Sequence, residues 1–577
     1  MTSRPSARAS FSSLGLVFTL AVLAWLRSLG SPFWLDDYLQ LERSAATLVD
    51  PSALFEGFRF SVSDVTPLWL NQADWSVLYF RPLVNLLFLA DWLAWGEWAG
   101  GYHLTNLLLH GVASLAWVLF VLEITGRPRI ATLAGVIFAI HPSHQDTVGW
   151  ISGRTDLVAA IPFFLAGVAH VRWRRGEGRI WLAPLLLALA FGAKESAAAF
   201  PAVVLLLEIY PGFGPRGRSP WRQCARALAP GVVVTLAYMG LRLAGGGFGN
   251  PGSAYLISPT DPTFLGVAVW RYLQYALNLA FLVPVDPVVV GPLLLARPLA
   301  LLFLGLMLTA MGAWAWRWTG ERRLLFFSAG FFFLTLAPSI PVVEGQRFLY
   351  LPSAGYALAL ALVLGALKAP WRRRALVGLV AGLGLACTAK TAFRDRLVAE
   401  AMAPIHALEA EFGAVLPADA RLYFVDLPPL VCMGFRAAMR VILERDEVEA
   451  YALTLSPELP AAAGQWTPPV AGRTMVTWAE PGVLAVERVG GEYFSTFMER
   501  FFLWGSRLPL PGEVIRSEHL EVRAGAAGSG GGRSGFRFLF DDGLVPQRDW
   551  IFVCDGERIR RLELQSTPAG VAGEDSL

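Results

Sequence analysis

Apolar residues fall in long blocks along most of this chain, and polar residues collect in the gaps between them. A helix needs about 20 mostly apolar residues to cross a bilayer. Such blocks lie near 12–29, 103–123, 130–146, 155–171, 179–197, 198–210, 226–244, 297–316, 324–340, 347–367 and 374–391. The block at 198–210 is short, and its boundary with 179–197 is open. Two further stretches, 80–98 and 264–284, are interrupted by Pro, Asp or Arg and read as interfacial or re-entrant pieces. The first block lacks a small-residue cleavage site and reads as an anchor.

Past about residue 392 the pattern changes to ordinary soluble character, with no spanning run. RLYFVDLP (421–428) reads as a strand entering a Pro-rich turn, and 434–453 as a helix followed by a strand, a βαβ-like unit. GVLAVERV, RSGFRFLFDDG and DWIFVCDGERIRRLEL alternate like half-buried strands. AGAAGSGGGRSG (524–535) reads as a flexible loop. No 34- or 40-residue repeat is present. The expected architecture is a polytopic α-helical membrane protein of about eleven transmembrane helices, residues 1–395, with a C-terminal soluble α/β domain, 396–577.

Composition sharpens this picture. Of 577 residues, 55% are hydrophobic and 16% charged, against about a quarter charged in soluble proteins. The net charge of +3 gives no reason to invoke nucleic acid. Cys224, Cys387, Cys432 and Cys554 show no CxxC or metal spacing. Cys432 and Cys554 share the polar region and are a candidate disulfide, with two buried free thiols the better reading.

Orientation follows the Arg/Lys bias of short loops. Basic clusters stand at 4–8, 126–129, 172–179, 215–226, 317–323 and 368–374. Eleven crossings put all six on one side, the cytoplasm. The N-terminus is then cytoplasmic. Segments 30–102, 141–154, 245–296 and 341–347, and everything after about 392, lie on the outer face of what is expected to be the plasma (inner) membrane.

Acids and bases gather on that outer face. Asp36 and Asp37, in FWLDDYLQ, sit just past the first block; partial desolvation by Phe33, Trp34 and Tyr38 raises a carboxylate's pKa toward use as a base. Two adjacent carboxylates cannot point the same way, so one faces the reaction and the other holds backbone or a cation. Arg81 stands in YFRPL and His103 in GYHLTNLLLH. His141, His144 and Asp146 stand in HPSHQDTVGW, with Arg154 and Asp156 just beyond. GAKES holds Lys194, the only lysine before residue 368, and Glu195. EGQRFLYLPS holds Arg347 and Tyr350. Any one of these is more simply a helix-end anchor, and His141 with His144 is a weak candidate for a divalent metal ion. The clustering from at least five segments is the signal, because charges at such depths are rare and usually functional.

A lipid-linked phosphate donor suits this set. Arg81, Lys194 and Arg347 suit a phosphate anchored by its isoprenoid tail, and fixed cations stabilise the charge growing on that leaving group. The opposed carboxylate takes the proton of an acceptor hydroxyl. No GxxxxGK[ST] and no GxGxxG in a strand-turn-helix setting is present.

The ordered set WLDD, YFRPL, GYHLTNLLLH, HPSHQDTVGWISGRTDLVAA, GAKES and RFLYLPSAGY, spread over roughly 12–395, resembles the membrane half of the TMTC-type O-mannosyltransferases, within the wider GT-C glycosyltransferases. The resemblance implies a GT-C-like fold, a polyprenyl-phosphate-linked sugar donor (mannose is one candidate sugar), transfer on the non-cytoplasmic face and inversion at the sugar carbon. It places the essential acid at Asp36, beside Asp37. It maps the family's HPxHxE-like and AKE-like motifs onto His141, His144, Asp146, Lys194 and Glu195, and its ERxLYLPS-like motif onto Arg347 and Tyr350. Two departures stand out: Gln346 replaces a Glu, and the α/β region stands where a tetratricopeptide array is expected. The hydroxyl acceptor is therefore open among protein, lipid and glycan.

The expected roles are Asp36 as base, Arg81, Lys194, Arg347 and Tyr350 on the donor phosphate, and His103, His141, His144, Asp146, Arg154, Asp156 and Glu195 lining the pocket. Competing readings are a transporter or flippase of a lipid-linked glycan, which needs polar residues through the midplane and often inverted repeats, and a receptor acting through its outer domain.

Overall fold

The computed structural model describes residues 10–34, 36–56, 59–61, 68–70, 76–209, 220–244, 256–283, 285, 298–458, 472–503, 506–517, 519–540, 543–556 and 558–564. The basic cluster at 4–8, part of that at 215–226 and much of the loop at 245–296 lie outside the described residues.

Each of the eleven apolar blocks falls on a helix. In chain order the main helices are α1 (Phe11–Ala24), α2 (Asp37–Val49), α3 (Pro82–Trp95), α4 (Ala99–Thr125), α5 (Pro128–Ala139), α6 (Thr155–Arg175), α7 (Leu182–Phe191), α8 (Phe200–Ile209), α9 (Pro220–Ala244), α10 (Phe264–Phe281), α11 (Pro298–Trp318), α12 (Arg322–Leu336), α13 (Tyr350–Ala366), α14 (Ala369–Phe412) and α15 (Phe435–Leu443). Local chemistry sets their ends. Ser10 caps α1 by accepting from the Ser13 amide at 3.2 Å. Pro82 opens α3 and Pro128 opens α5, where a missing N–H costs nothing. Gly126 and Gly176 end α4 and α6 in the left-handed region that Gly favours.

Among the described residues, five helical segments are long and apolar enough to cross a membrane: 99–125, 152–175, 221–244, 346–366 and 369–412. The chain is a multi-pass helical membrane protein. Its inner core is aromatic: Trp117 and Phe120 of α4, Phe138 of α5, Phe163 and Phe164 of α6 and Phe331 of α12 pack together. The stretches 80–98 and 264–284 both carry continuous helices, α3 and α10; the interrupting Asp91 is buried. Helices α7 and α8 have 10 residues each, about 15 Å at 1.5 Å per residue. The segment 192–199, with Lys194 and Glu195, joins them, so the boundary left open in the sequence lies within it.

Helix α14 has 44 residues, about 66 Å, roughly twice the ~30 Å hydrocarbon layer. It runs through the expected boundary at 395/396 and leads directly into the C-terminal region. Two short strands before α3, β1 (Arg59–Ser61) and β2 (Ser76–Leu78), pair antiparallel. A four-stranded sheet in the C-terminal region has the order β11–β10–β3–β4, made of β3 (Arg421–Val425), β4 (Glu449–Ala452), β10 (Asp549–Asp555) and β11 (Arg558–Leu562). Both β4 and β10 run parallel to β3, and β3–α15–β4 is the expected βαβ unit. The second sheet is antiparallel, ordered β5–β6–β9–β8–β7, from β5 (Arg473–Glu480), β6 (Val483–Val489), β7 (Val514–Ser517), β8 (Leu520–Ala524) and β9 (Gly535–Phe540). The Gly-rich stretch 524–535, expected as a flexible loop, is instead a closed hairpin end. The Glu492 carboxylate accepts from the Gly530 and Gly532 amides at 2.9 Å each. All four cysteines are free thiols, with Cys432 and Cys554 buried.

The segment 30–102 is built into this C-terminal region. Helix α2 packs on α15, tied by Glu42 and Arg440 at 2.6 Å. The Trp69 indole N–H donates to the Leu453 carbonyl at 2.8 Å, and its rings meet Phe536 and Phe538 edge-on. Leu68, Trp69, Tyr38 and the strands of both sheets share one hydrophobic core.

Candidate active site

The two adjacent aspartates at the start of α2 part company. Asp37 is 2% exposed and accepts three hydrogen bonds: from the Trp34 amide at 2.9 Å, the Ser152 amide at 2.8 Å and the Ser152 hydroxyl at 2.6 Å. It staples the first outer segment to the loop before α6. Asp36 is partly exposed, and its Oδ1 is enclosed without a hydrogen-bond partner among the described residues. Burial lifts the Asp36 carboxyl above the usual aspartate range, while Arg347, Arg43 and Arg81 pull the other way. Of the pair, Asp36 is the one whose carboxylate keeps an enclosed oxygen without a hydrogen-bond partner among the described residues.

A charged cluster faces it. Arg81, just before α3, donates one Nη to both oxygens of Glu195, at 2.8 and 2.9 Å. Arg242, in the last turn of α9, stands 3.7 Å from the same carboxylate. Both guanidiniums lie against the Tyr79 ring, 4.5 and 5.3 Å from its centroid. Lys194 is paired with Asp156 at the start of α6, and its ammonium also lies 5.2 Å from the Phe348 ring. Arg347, in the turn before α13, rests 4.7 Å from the Phe348 ring and 6.0 Å from that of Trp150. Arg347 and Arg81 are within electrostatic reach of both Asp36 and Asp156. Residues from six separate segments thus form one cluster holding Arg81, Lys194, Arg242 and Arg347 with Asp36, Asp156 and Glu195.

Other expected pocket residues serve the scaffold. Arg154, expected to line the pocket, is fully buried and spent on Asp91 at 2.5 Å and on the Tyr102 carbonyl at 3.1 Å, with Phe88 stacked 4.2 Å away. Tyr350, expected on the phosphate, is also fully buried, and its hydroxyl meets His110 Nδ1 at 2.8 Å. His144 Nε2 bonds the Ser353 hydroxyl at 2.8 Å, and His141 Nε2 bonds the Leu279 carbonyl at 3.1 Å. Asp146 faces Lys390 and Arg394 of α14 rather than the cluster. His103 is buried beside Arg154 and Arg394. Among the described residues, no three His, Cys, Asp or Glu side chains converge as a metal site. Gln346, at the position of the missing Glu, faces Asn278 at 3.5 Å, while Glu344 holds Arg271 at 2.9 Å.

Three participants escape a reading of the sequence. Arg242 lies in the apolar block 226–244, and the signal that marks Lys194, a lone cation at the end of a span, marks it equally. Asp91 looks like a mere interruption, yet it neutralises Arg154. His110 looks like part of a spanning face, yet it carries the Tyr350 bond.

Fold and cluster together define a polytopic helical membrane protein with a mixed-charge cluster where several helix ends meet. No family model matches the chain. Similar proteins carry one name: protein O-mannosyl-transferase Tmtc2 of Drosophila melanogaster is 33% identical over 205 residues, 34% of this chain and 21% of that protein. Tmtc1 of the same organism is 36% identical over 143 residues, 24% of this chain and 16% of that protein. TMTC3 of Homo sapiens is 27% identical over 136 residues, 23% and 15% of the two chains. The chain spans about a fifth or less of the length of these relatives. A solved structure, ArnT from Cupriavidus metallidurans bound to undecaprenyl phosphate, aligns over 77% of this chain and 86% of that one, with 13% identity and a TM-score of 0.44. The chain is similar to TMTC-type protein O-mannosyltransferases, as its motifs imply.

Proposed function

We propose that the chain is a GT-C-type membrane glycosyltransferase that moves one sugar, with mannose the first candidate, from a polyprenyl-phosphate carrier to a hydroxyl acceptor. The observation that carries this reading is the sharing of Arg347 and Arg81 between Asp36 on one side and the Lys194–Asp156 pair on the other. Catalysis of this kind needs charge fixed where charge develops. In this reading the donor phosphate sits among Arg81, Lys194, Arg242 and Arg347, and its lipid tail lies between helices. Asp36 takes the proton of the acceptor hydroxyl as that oxygen attacks the anomeric carbon from the opposite face. The bond from anomeric carbon to phosphate oxygen breaks, its electron pair stays on the phosphate, and the sugar inverts.

The same reading gives eleven crossings, a cytoplasmic N-terminus, and a site on the outer face of the plasma membrane. Residues 1–395 form the catalytic membrane unit and 396–577 an outer α/β unit that grips the first outer segment. The acceptor is a protein, lipid or glycan hydroxyl.

Purified protein in lipid vesicles, given labelled polyprenyl-phosphate mannose or glucose and a panel of hydroxyl acceptors, is the test. Transfer from the lipid donor, and none from a nucleotide sugar, is expected. Movement of the intact lipid-linked sugar between leaflets without cleavage would instead establish a flippase and defeat the proposal.

A further inference from the structure

Helix α9 buries a single narrow stripe: Ala227, Gly231, Tyr238 and Arg242, with its other described side chains half-buried or exposed. The spacing puts the four on one helical face. The polar two lie one turn apart, at the end of the helix that meets Glu195. Tyr238 is 6% exposed. Its ring stacks on Phe191, the last residue of α7, with centroids 4.3 Å and planes 20° apart. Lys194 and Glu195 follow Phe191 closely in the chain, so the stack sets the phenol beside the charged cluster. Glu195, Arg242 and Arg81 all lie within electrostatic reach of its hydroxyl.

That hydroxyl is enclosed, and its proton meets no acceptor among the described residues. Arg242 carries only N–H donors, so it can give a bond to the phenol oxygen and take none. Glu195 is the acceptor on this side, and both of its oxygens are engaged by Arg81, at 2.8 and 2.9 Å. Buried tyrosine hydroxyls usually find a partner, and one left without is costly. Beside two guanidiniums, the acceptor it lacks is an oxygen of an anion. The arginines draw the anion in, and the phenol gives one further bond without adding charge.

Resting on the glycosyltransferase reading above, we propose that the Tyr238 hydroxyl is a further ligand of the donor phosphate, giving a hydrogen bond to a phosphate oxygen of the polyprenyl-phosphate sugar beside Arg81 and Arg242. The bond strengthens as the anomeric C–O bond breaks and its electron pair stays on the phosphate. Tyr238 keeps its proton throughout. Because the phenol is neutral, its contribution does not depend on how the charges of Asp36, Asp156 and Glu195 balance those of the cations around them.

The test is Tyr238→Phe in full-length protein in lipid vesicles, a change that removes one oxygen and keeps the stack on Phe191. Donor KM for polyprenyl-phosphate mannose is expected to rise, and binding of undecaprenyl phosphate to weaken, by about tenfold each, the equivalent of about 1.4 kcal/mol. The ratio kcat/KM should fall at least as far. Undecaprenol, which has no phosphate, should bind both proteins alike. The thermal midpoint without added lipid phosphate should equal or exceed that of wild type, because the hydroxyl removed had no acceptor to lose. Unchanged affinity for undecaprenyl phosphate overturns the proposal. An equal loss for undecaprenol also overturns it, since the phenol would then line the path of the lipid tail. A lowered thermal midpoint, or a variant that does not fold, overturns it as well, since the hydroxyl would then be bonded within the protein. Wild-type protein that binds undecaprenyl phosphate no better than undecaprenol would sink the glycosyltransferase reading itself, and the proposal with it.

Discussion

The sharpest consequence of the structure concerns two neighbouring aspartates with opposite duties. In the proposed reaction Asp36→Asn removes the acceptor for the proton without breaking a hydrogen bond at Oδ1, which has no partner among the described residues. General-base catalysis contributes about 10²–10⁴-fold, or about 2.7–5.4 kcal/mol at 1.36 kcal/mol per tenfold. Transfer should fall by that factor with the thermal midpoint unchanged. Asp37→Asn leaves an amide facing donors. The amide nitrogen replaces either Oδ2, losing the Trp34 bond, or Oδ1, losing both Ser152 bonds, and meets a donor–donor clash in either place. A hydrogen bond to a charged group is worth about 1.5–3 kcal/mol, so this variant should show a lower thermal midpoint and a smaller, indirect loss of rate. Turnover of labelled polyprenyl-phosphate sugar, beside thermal unfolding in the same detergent, separates the two. The reasoning fails if Asp36→Asn turns over normally, or if Asp36→Asn melts early while Asp37→Asn does not.

Other consequences are quicker to state. Asp36 must be ionised to act, and burial lifts its pKa, so kcat/KM should decline as pH falls through a value above the ordinary aspartate figure of about 3.9; an acid limb at or below that figure would argue against burial as the dominant influence. Arg154→Met strands Asp91 as a buried charge, a loss of about 3–5 kcal/mol read as poor yield and a lowered thermal midpoint, while the double change Arg154→Met with Asp91→Leu should recover most of it. Trp69→Ala empties a socket between the sheets and should cost about 3–5 kcal/mol; limited proteolysis should then cut between α14 and β3, and kcat should drop although no charged residue has changed.

Much of this arrangement can be read from residues alone, for a physical reason. A lipid environment forces long apolar blocks, so helices announce themselves, and a cation in such a block stands out, as Lys194 does. Period-2 alternation likewise marks β9 and the end of β6, whereas β10, expected to alternate, is buried along Asp549–Cys554 because it lies inside the sheet between β11 and β3. Pairing is harder to foresee. Arg154 and Arg347 look alike along the chain, yet Arg154 meets Asp91 and joins the scaffold, while Arg347 sits among aromatic rings beside the cluster. That difference comes from how α3 and α6 pack, which no local pattern encodes. The continuation of α14 to Phe412 is hidden because Arg394, Asp395 and Arg396 look like the end of a span, when their partners Gly149, Ser31 and Glu400 make them part of a helix that leaves the membrane. The outer domain's hold on Trp69 is invisible for the same reason.

The central claim is that one cavity, assembled from distant segments, holds a lipid-linked phosphate opposite Asp36. Cryo-electron microscopy of the protein in nanodiscs with a non-cleavable polyprenyl-phosphate sugar addresses it directly. The expected density has phosphorus within hydrogen-bonding distance of Arg81 and Arg347, and the anomeric carbon between that phosphate and Asp36. Phosphate density elsewhere, for instance beside the buried His170–Glu208 pair, with the Asp36 cavity empty, would contradict the claim.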